Sequence, residues 1–236
     1  MDEHELLDSI ANDSWYNKGV NAKTIHYSAK ILSRYMKNGD VLELGPAEGE
    51  LTSHLVKSSD SLTVVDGSSV FCEDLKKRFP NITVIHSLFE NVSLDKKFDF
   101  IVLGHVLEHV DDPVLVLKRV KKYLKPSGKI FAAVPNARSI HRQAAVLMGI
   151  LDTLYTLNET DLHHGHKRVY NKESFQKDFI NAGFKIEILG GYWLKPVSNN
   201  QTDETWTEKM IEAFMELGEQ YPDIAGEIYV LASNSK

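Results

Sequence analysis

The 236 residues are 42% apolar and 25% charged, which excludes collagen-like, coiled-coil and wholly disordered descriptions of the chain. Basic residues number 27 and acidic residues 33, giving a net charge of −6, so no domain-wide basic face for nucleic acid exists. Cys72 is the only cysteine, which excludes an internal disulfide and a cysteine-based zinc cluster and fits a reducing compartment. The N-terminal MDEHELLDSI has neither the basic nor the apolar stretch of a secretory signal, and the most apolar run, Ala144–Leu151, is too short to span a bilayer. The expectation is a cytoplasmic protein, monomer or homodimer, with neither a membrane nor a nucleic acid as partner.

In chain order, the spacing predicts helices over Asp2–Ala11 and Ala22–Met36, a helical cap in residues 1–37. Residues 38–135 then alternate. Apolar runs at Val41–Leu44, Leu62–Val65, Ile82–Ile85, Phe100–Leu103 and Lys129–Val134 read as strands. Helix-period stretches at Leu51–Lys57, Ser69–Phe79 and Pro113–Leu124 lie between them. Near-continuous apolar strands separated by helices indicate a parallel sheet covered on both faces. Residues 136–171 form an insertion, with a helix over Ser139–Leu157 and a loop over His163–Tyr170. Residues 172–236 complete the sheet: a helix over Lys172–Ala182 stopped by Gly183, and a strand over Phe184–Leu189. A helix over Thr205–Leu217, with Trp206, Met210, Phe214 and Leu217 on one side, and a strand over Glu227–Ala232 follow. The predicted fold is a single α/β unit, 1–236: a doubly wound, seven-stranded, mostly parallel sheet whose last strand is antiparallel.

The first strand runs into Glu43-Leu44-Gly45-Pro46-Ala47-Glu48-Gly49. Gly45 allows a sharp turn where a ligand approaches, and Gly49 allows close approach of the next helix. The Gly-x-x-x-Gly spacing lacks the central glycine of a dinucleotide fingerprint, and two glutamates make the turn hostile to a pyrophosphate. An acidic turn suits an ammonium or a sulfonium. Asp66, with Gly67 after it, ends the second strand where a carboxylate can accept from both ribose hydroxyls. Ser87, Leu88 and Phe89 follow the third strand and could hold an adenine.

These motifs, VLELGPAEGE, VVDGSS, FDFIVLGHVLEHVDDP and LKPSGKIFAAVPNA, resemble in order and spacing the class I S-adenosylmethionine-dependent methyltransferases. The likeness is closest to the small-molecule branch of the ubiquinone and menaquinone type, and GHKRVYNKESFQKDFINAGF extends it to Phe184. The run Ser87-Leu88-Phe89 departs from the Gly-Asp often found there. The resemblance implies S-adenosylmethionine as cofactor. Glu43, Gly45, Pro46 and Gly49 would surround its amino-acid part, and Asp66 and Gly67 its ribose. Ser87, Leu88 and Phe89 would hold the adenine, and Gly104 and His105 would border the methyl.

On the acceptor side, His105 and the loop histidines His163, His164 and His166 are candidate general bases, since imidazole titrates near neutrality. Glu108 and His109 read as a structural signature. Tyr16 and Tyr27, with Trp15, suggest an aromatic lid. Arg138 and Arg168, with Arg142 and Lys167, suggest an anionic acceptor such as a phosphorylated or nucleotide-linked sugar. No metal site is expected, because the loop histidines lack i, i+4 spacing and recognisable outer partners. The expected reaction is methyl transfer to a hydroxyl of a small molecule. The alternatives are methylation of a small-molecule amine, a nicotinamide-dependent dehydrogenase and a non-catalytic cofactor-binding module.

Overall fold

The computed structural model describes residues 3–235; Asp2, the predicted start of the first helix, lies outside the described residues. Seven strands form one sheet: β1 (Asp40–Leu44), β2 (Ser61–Asp66), β3 (Thr83–His86), β4 (Phe98–Gly104), β5 (Leu124–Pro135), β6 (Phe184–Tyr192) and β7 (Glu227–Asn234). Their order is β3-β2-β1-β4-β5-β7-β6. β1 to β5 pair in parallel, and β7 lies antiparallel between β5 and β6, as the sequence predicts. Leu44 is level with Val65 of β2 and Leu103 of β4. The carboxyl ends of β1, β2 and β4 therefore share one edge, and the strand order reverses between β1 and β4, where such sheets open a crevice.

Period-two alternation sends each strand's side chains to two cores. Leu42, Leu44, Ile101, Leu103, Ile130 and Ala132 pack beneath α5 (Pro113–Lys121) and α8 (Lys172–Asn181). Val41, Val64, Phe100, Val102 and Phe131 pack beneath α2 (Gly19–Leu32), α3 (Glu50–Ser58) and α10 (Glu208–Gln220). α4 (Ser69–Arg78) lies beside β2 and β3, and α1 (Glu3–Asn12) packs on α4. Local signals fix the helix starts. Ser68 accepts from the Phe71 N–H, and Asp112 accepts from the Leu115 N–H with Pro113 in the first turn.

The helix expected over Ser139–Leu157 stops early. α6 spans only Ile140–Leu147, and Gly149, at φ +70°, turns the chain away. The expected His163–Tyr170 loop is entered through α7 (Glu159–His163), closed by a capping box between Asn158 and Asp161. The helix expected over Thr205–Leu217 starts later, as α10 (Glu208–Gln220). α9 (Asn199–Thr205) ends before Thr207, whose hydroxyl caps α10. The buried side of α10 is Ile211, Met215 and Gly218, while Met210 is exposed.

Gly218 is the closest approach of α10 to β6. A Cβ there would lie 2.3 Å from the Trp193 backbone nitrogen and 2.5 Å from the Tyr192 carbonyl carbon. Neither backbone can yield freely, since the Trp193 and Leu194 N–H groups donate to Met215 and Phe214 carbonyls. Gly218→Ala is expected to cost about 1–3 kcal/mol of stability, toward the upper end. Urea unfolding reads it, and a loss under about 0.5 kcal/mol would contradict this packing.

Candidate active site

A cavity of ≈ 1150 Å³ opens at the carboxyl edge of the sheet. One half is built by the turns after β1, β2 and β3. Gly45 takes φ +64°, and a Cβ there would meet Val106 at 2.8 Å. Ala47 also sits in the left-handed region, at φ +47°, and its N–H donates to Asp66 Oδ2 at 3.3 Å. A non-glycine residue in this conformation costs about 1–3 kcal/mol and persists only where its surroundings enforce it. Asp66 is 7% exposed, and its Oδ1 accepts from the Ser68 N–H at 2.8 Å. Burial pushes its pKa up to about 6, against those two backbone bonds. Glu43 is buried behind the turn, accepts from the Thr52 hydroxyl at 2.7 Å, and is pushed by burial to about 8. A cation brought alongside would restore its charge.

Glu43, Gly45, Pro46, Asp66, Gly67, Leu88, Phe89, Gly104 and His105 all line the cavity. Gly49 and Ser87 do not. Gly49 starts α3 at φ +79°, with Leu75 and Phe79 packed where a Cβ would stand. The Ser87 N–H and hydroxyl are turned to the Asp66 and Leu88 carbonyls. Both residues shape the site without touching its interior.

The sequence offered no sign of what pins the cap in place. Asp8 of α1 accepts from the Ser68 hydroxyl at 2.6 Å and from the Ser69 N–H and hydroxyl at 2.8 and 2.7 Å. These bonds, the serine hydroxyls foremost, hold its carboxyl down at about 2. They lay Leu7 over Gly67 and bring Leu6, Leu7 and Ile10 into the cavity wall. Past α1, the Ser14 hydroxyl bonds Glu48, and Trp15 and Tyr16 line the mouth. Asp8→Ala removes bonds worth about 0.5–1.5 kcal/mol each, so S-adenosylhomocysteine should dissociate up to about tenfold faster. Stopped-flow displacement reads this; an unchanged rate would show that α1 does not cover the ligand.

Tyr27 is not part of the lid. It points into the core beneath α2, stacks on Tyr192 at 5.7 Å and gives its hydroxyl to Glu219. The helical periodicity of α2 turns it away from the mouth that Tyr16 lines.

The other half of the cavity is the acceptor side. His105 sits at φ +58°, with its N–H donating to the Ala133 carbonyl at 2.9 Å. Its Nδ1 lies 3.4 Å from Glu108 Oε1 and 3.9 Å from Glu227 Oε2. Burial opposes a charge on this ring, but the two carboxylates outweigh it and hold the pKa up at about 9. Its pKa is thus held above the ordinary imidazole value, which disfavours His105 among the four candidate bases. Glu108 is fully buried, and burial alone would raise its pKa; the ion pair with His105 and the neighbouring rings bring it below the usual carboxylate value. His109 is pushed down to about 4, chiefly by burial, and stands edge-on to His166 at 4.7 Å. His166 Nδ1 faces Asp161 Oδ1 at 3.4 Å, and Arg142 holds Asp161 at 3.0 Å. The Lys167 N–H donates to the Glu108 carbonyl at 2.8 Å, tying the insertion to the turn after β4.

His164 lines the cavity but is wedged between Trp15 and Tyr16, and burial lowers its pKa to about 4. His163 lies outside the cavity, stacked on Trp15 at 4.1 Å, with its Nε2 toward the Asp13 carbonyl. Gly165, at φ +75°, then turns the chain between His164 and His166. The basic segment is spent on other contacts. Arg138 is exposed away from the cavity, and Arg168 donates to the Asp111 carbonyl. Arg142 pairs with Asp161 and Lys167 with Asp111. Asn136, His141, Lys195 and Glu227 line the acceptor side and were not singled out as site residues from sequence. Lys195 is lowered to about 8 by burial. Lys195 and Glu227 arrive from elements remote in sequence, and no local motif marks them.

The model of the methyltransferase domain matches residues 16–188, and the chain belongs to that family. It is a class I S-adenosylmethionine-dependent methyltransferase, and S-adenosylmethionine is its cofactor. A ubiquinone biosynthesis O-methyltransferase of Coxiella burnetii is 29% identical over 213 residues, covering 84% of this chain and 89% of that one. Two solved structures share the fold. An S-adenosylmethionine-dependent methyltransferase of Thermotoga maritima has TM-score 0.67 at 16% identity, covering 98% and 99% of the two chains. The N-methyltransferase NodS of Bradyrhizobium japonicum, in complex with S-adenosylhomocysteine, has TM-score 0.63 at 14% identity, covering 99% and 98%. Among the described residues no helix is long and apolar enough to cross a membrane. The cofactor half fits the cofactor: a nearly buried carboxylate suits ribose hydroxyls, and the acids Glu43 and Glu48, the latter with a buried unpartnered Oε2, suit an ammonium.

Proposed function

We propose that this protein, acting in the cytoplasm, methylates a hydroxyl of a small molecule held between the end of β4 and the α7–His166 segment. The observation that carries this reading is the buried polar wall beside Gly104. Glu108 Oε2 and His105 Nε2 are shielded from solvent and have no partner, and Glu108 Oε1 and His166 Nδ1 have only ion-pair contacts at 3.4 Å, to His105 and Asp161. A buried polar group without a partner is costly, so this wall calls for a polar ligand. The cofactor, when bound, supplies a methyl group on a sulfonium.

The chain's own tasks are positioning, exclusion of water and acceptance of a proton. Asp66 orients the ribose, and Leu88 and Phe89 flank the adenine. The Glu43–Glu48 turn holds the amino-acid end. α1, Trp15 and Tyr16 cover the crevice, which shields the reacting atoms from water. The Glu108–His109–His166 cluster draws off the hydroxyl proton, with Asp161 orienting His166. His105 steadies Glu108. The O-methyltransferase activity of the Coxiella relative supports the oxygen acceptor. The amine alternative draws on NodS and on the same carboxylates, which would hold an ammonium. For a phosphorylated acceptor, Arg138 and Arg168 lie outside the cavity lining, while Arg142 and Lys167 line it and are paired with Asp161 and Asp111.

A screen that reads S-adenosylhomocysteine release over matched hydroxyl and amine acceptors tests the proposal. Turnover with hydroxyl acceptors and none with the amines is expected. Turnover confined to amines would overturn the oxygen reading.

A further inference from the structure

We propose that Lys195, with His141 beside it, selects the acceptor by holding a carboxylate on the same small molecule whose hydroxyl is methylated, so that the acceptor is a hydroxy acid. The hydroxyl rests on the reading above; the carboxylate stands on the residues that follow.

The lysines and arginines that line the cavity are Lys18, Arg142, Lys167 and Lys195. Lys18 is exposed, Arg142 pairs with Asp161, and Lys167 pairs with Asp111. Lys195 is partly buried, and among the described residues its ammonium makes neither a hydrogen bond nor a close ion pair. Burial lowers it to about 8 in spite of the more distant Glu227 and Asp161, so these acids do not compensate its charge. An anion brought to Nζ would.

The fold goes to some length to put this side chain there. Trp193, just past the end of β6, takes φ +66°, a conformation rare for a bulky residue. Its N–H donates to the Met215 carbonyl at 3.1 Å, and its carbonyl accepts from the Gly226 N–H at 2.6 Å. The Leu194 N–H donates to the Phe214 carbonyl at 2.8 Å. These bonds impose the left-handed turn that carries the chain into the cavity wall. The stem of Lys195 then packs beside Gly226, where an added Cβ would meet the Lys195 Cβ at 3.4 Å. Backbone held in this way is a mark of a functional position.

His141 supplies a second donor. It lines the cavity, and its Nδ1 is shielded from solvent without a hydrogen-bond partner. Burial, together with Lys195 and Arg142, holds its pKa far below neutrality. The ring therefore offers an N–H without adding a charge. One ammonium and one neutral N–H match the two oxygens of a carboxylate. Charge favours this anion over a phosphate. Glu108, Asp161 and Glu227 stand in the same wall, and Arg142 and His105 are already turned to them. A dianion would face those acids with one free ammonium, whereas a carboxylate leaves a single pair. Glu227 links the subsite to the methyl-facing wall: its Oε2 lies 3.9 Å from His105 Nδ1, and its charge acts on Lys195. One small molecule can therefore reach both.

The test uses the full chain in complex with S-adenosylhomocysteine, titrated at pH 7 with 3-hydroxybenzoate, 3-hydroxybenzamide and 3-hydroxyphenyl phosphate. Saturation-transfer NMR gives each Kd. The acid should bind at least tenfold more tightly than the amide and the phosphate. Lys195→Met should erase the preference for acid over amide, with S-adenosylhomocysteine affinity within about twofold of wild type. Lys195→Arg should keep most of the preference; a lysine needed only for packing would move acid and amide alike. His141→Phe should weaken the acid by about 2–10-fold. Should Lys195→Met fail to bind S-adenosylhomocysteine, Lys195→Gln is read in its place. No binding of the acid, equal binding of acid and amide, tighter binding of the phosphate, or a preference that survives in Lys195→Met overturns the proposal. Turnover confined to amines in the screen above would overturn the hydroxyl reading and leave the carboxylate preference standing.

Discussion

Asp66→Ala is expected to weaken S-adenosylmethionine and S-adenosylhomocysteine binding at least tenfold by calorimetry. The carboxylate is nearly buried and is the one acid at the end of β2 that lines the cavity. Hydrogen bonds to a charged group are worth about 1.5–3 kcal/mol each, and two ribose hydroxyls are at stake. The same side chain braces the Ala47 N–H and the Ser68 N–H, so the substitution also loosens the turn. An unchanged affinity would remove Asp66 from the site.

A pH dependence accompanies this. With a pKa near 6, Asp66 becomes protonated as pH falls below that value and loses its charge as a ribose acceptor. Cofactor affinity should therefore fall about tenfold per pH unit below 6 and level off above it. Stability of the free protein runs the other way. A carboxyl whose folded pKa is raised binds its proton more tightly folded than unfolded. Its contribution is most favourable below the unfolded value of 3.8 and is lost as pH rises to about 6. Asp66→Asn should thus raise the melting temperature of the cofactor-free protein at pH 8 while abolishing tight binding. A variant less stable than wild type at pH 8 would contradict the buried-charge account.

The second large effect is on turnover. His166→Ala should lower kcat by about 10²–10⁴ while cofactor affinity stays within about twofold. The ring lines the acceptor side, is braced by Asp161 and contacts no residue of the cofactor half that was placed by sequence. His163→Ala is the matched control: its ring lies outside the cavity on Trp15, so kcat should hold. Equal losses in both variants would mean that the loop acts through its fold and not through the His166 imidazole.

Most of the sheet is legible because most of its strands are continuous apolar runs, and the intervening helices α4 and α5 carry side-chain caps. The cofactor half is equally legible, since the turns after β1, β2 and β3 are contiguous in sequence and each carries its own chemistry. The acceptor half is not. His163, His164 and His166 lie within four positions, yet only His164 and His166 line the cavity, and the spacing of the three does not show which do. Tyr16 and Tyr27 both read as lid aromatics, yet the helical phase of α2 buries the second. Asp8, Lys195 and Glu227 reach the site from opposite ends of the chain, and long-range contact leaves no trace in spacing. His109 looks structural in sequence because His166, the ring it stands against, lies more than fifty residues away.

The most direct measurement is a crystal structure of the protein with S-adenosylhomocysteine bound. The ribose hydroxyls should rest on the Asp66 carboxylate and the adenine between Leu88 and Phe89. The amino-acid end should lie against the Glu43–Glu48 turn, with the sulfur facing the wall of His105, Glu108 and His166. A ligand whose ribose lies away from Asp66, or whose sulfur faces away from that wall, would contradict the account.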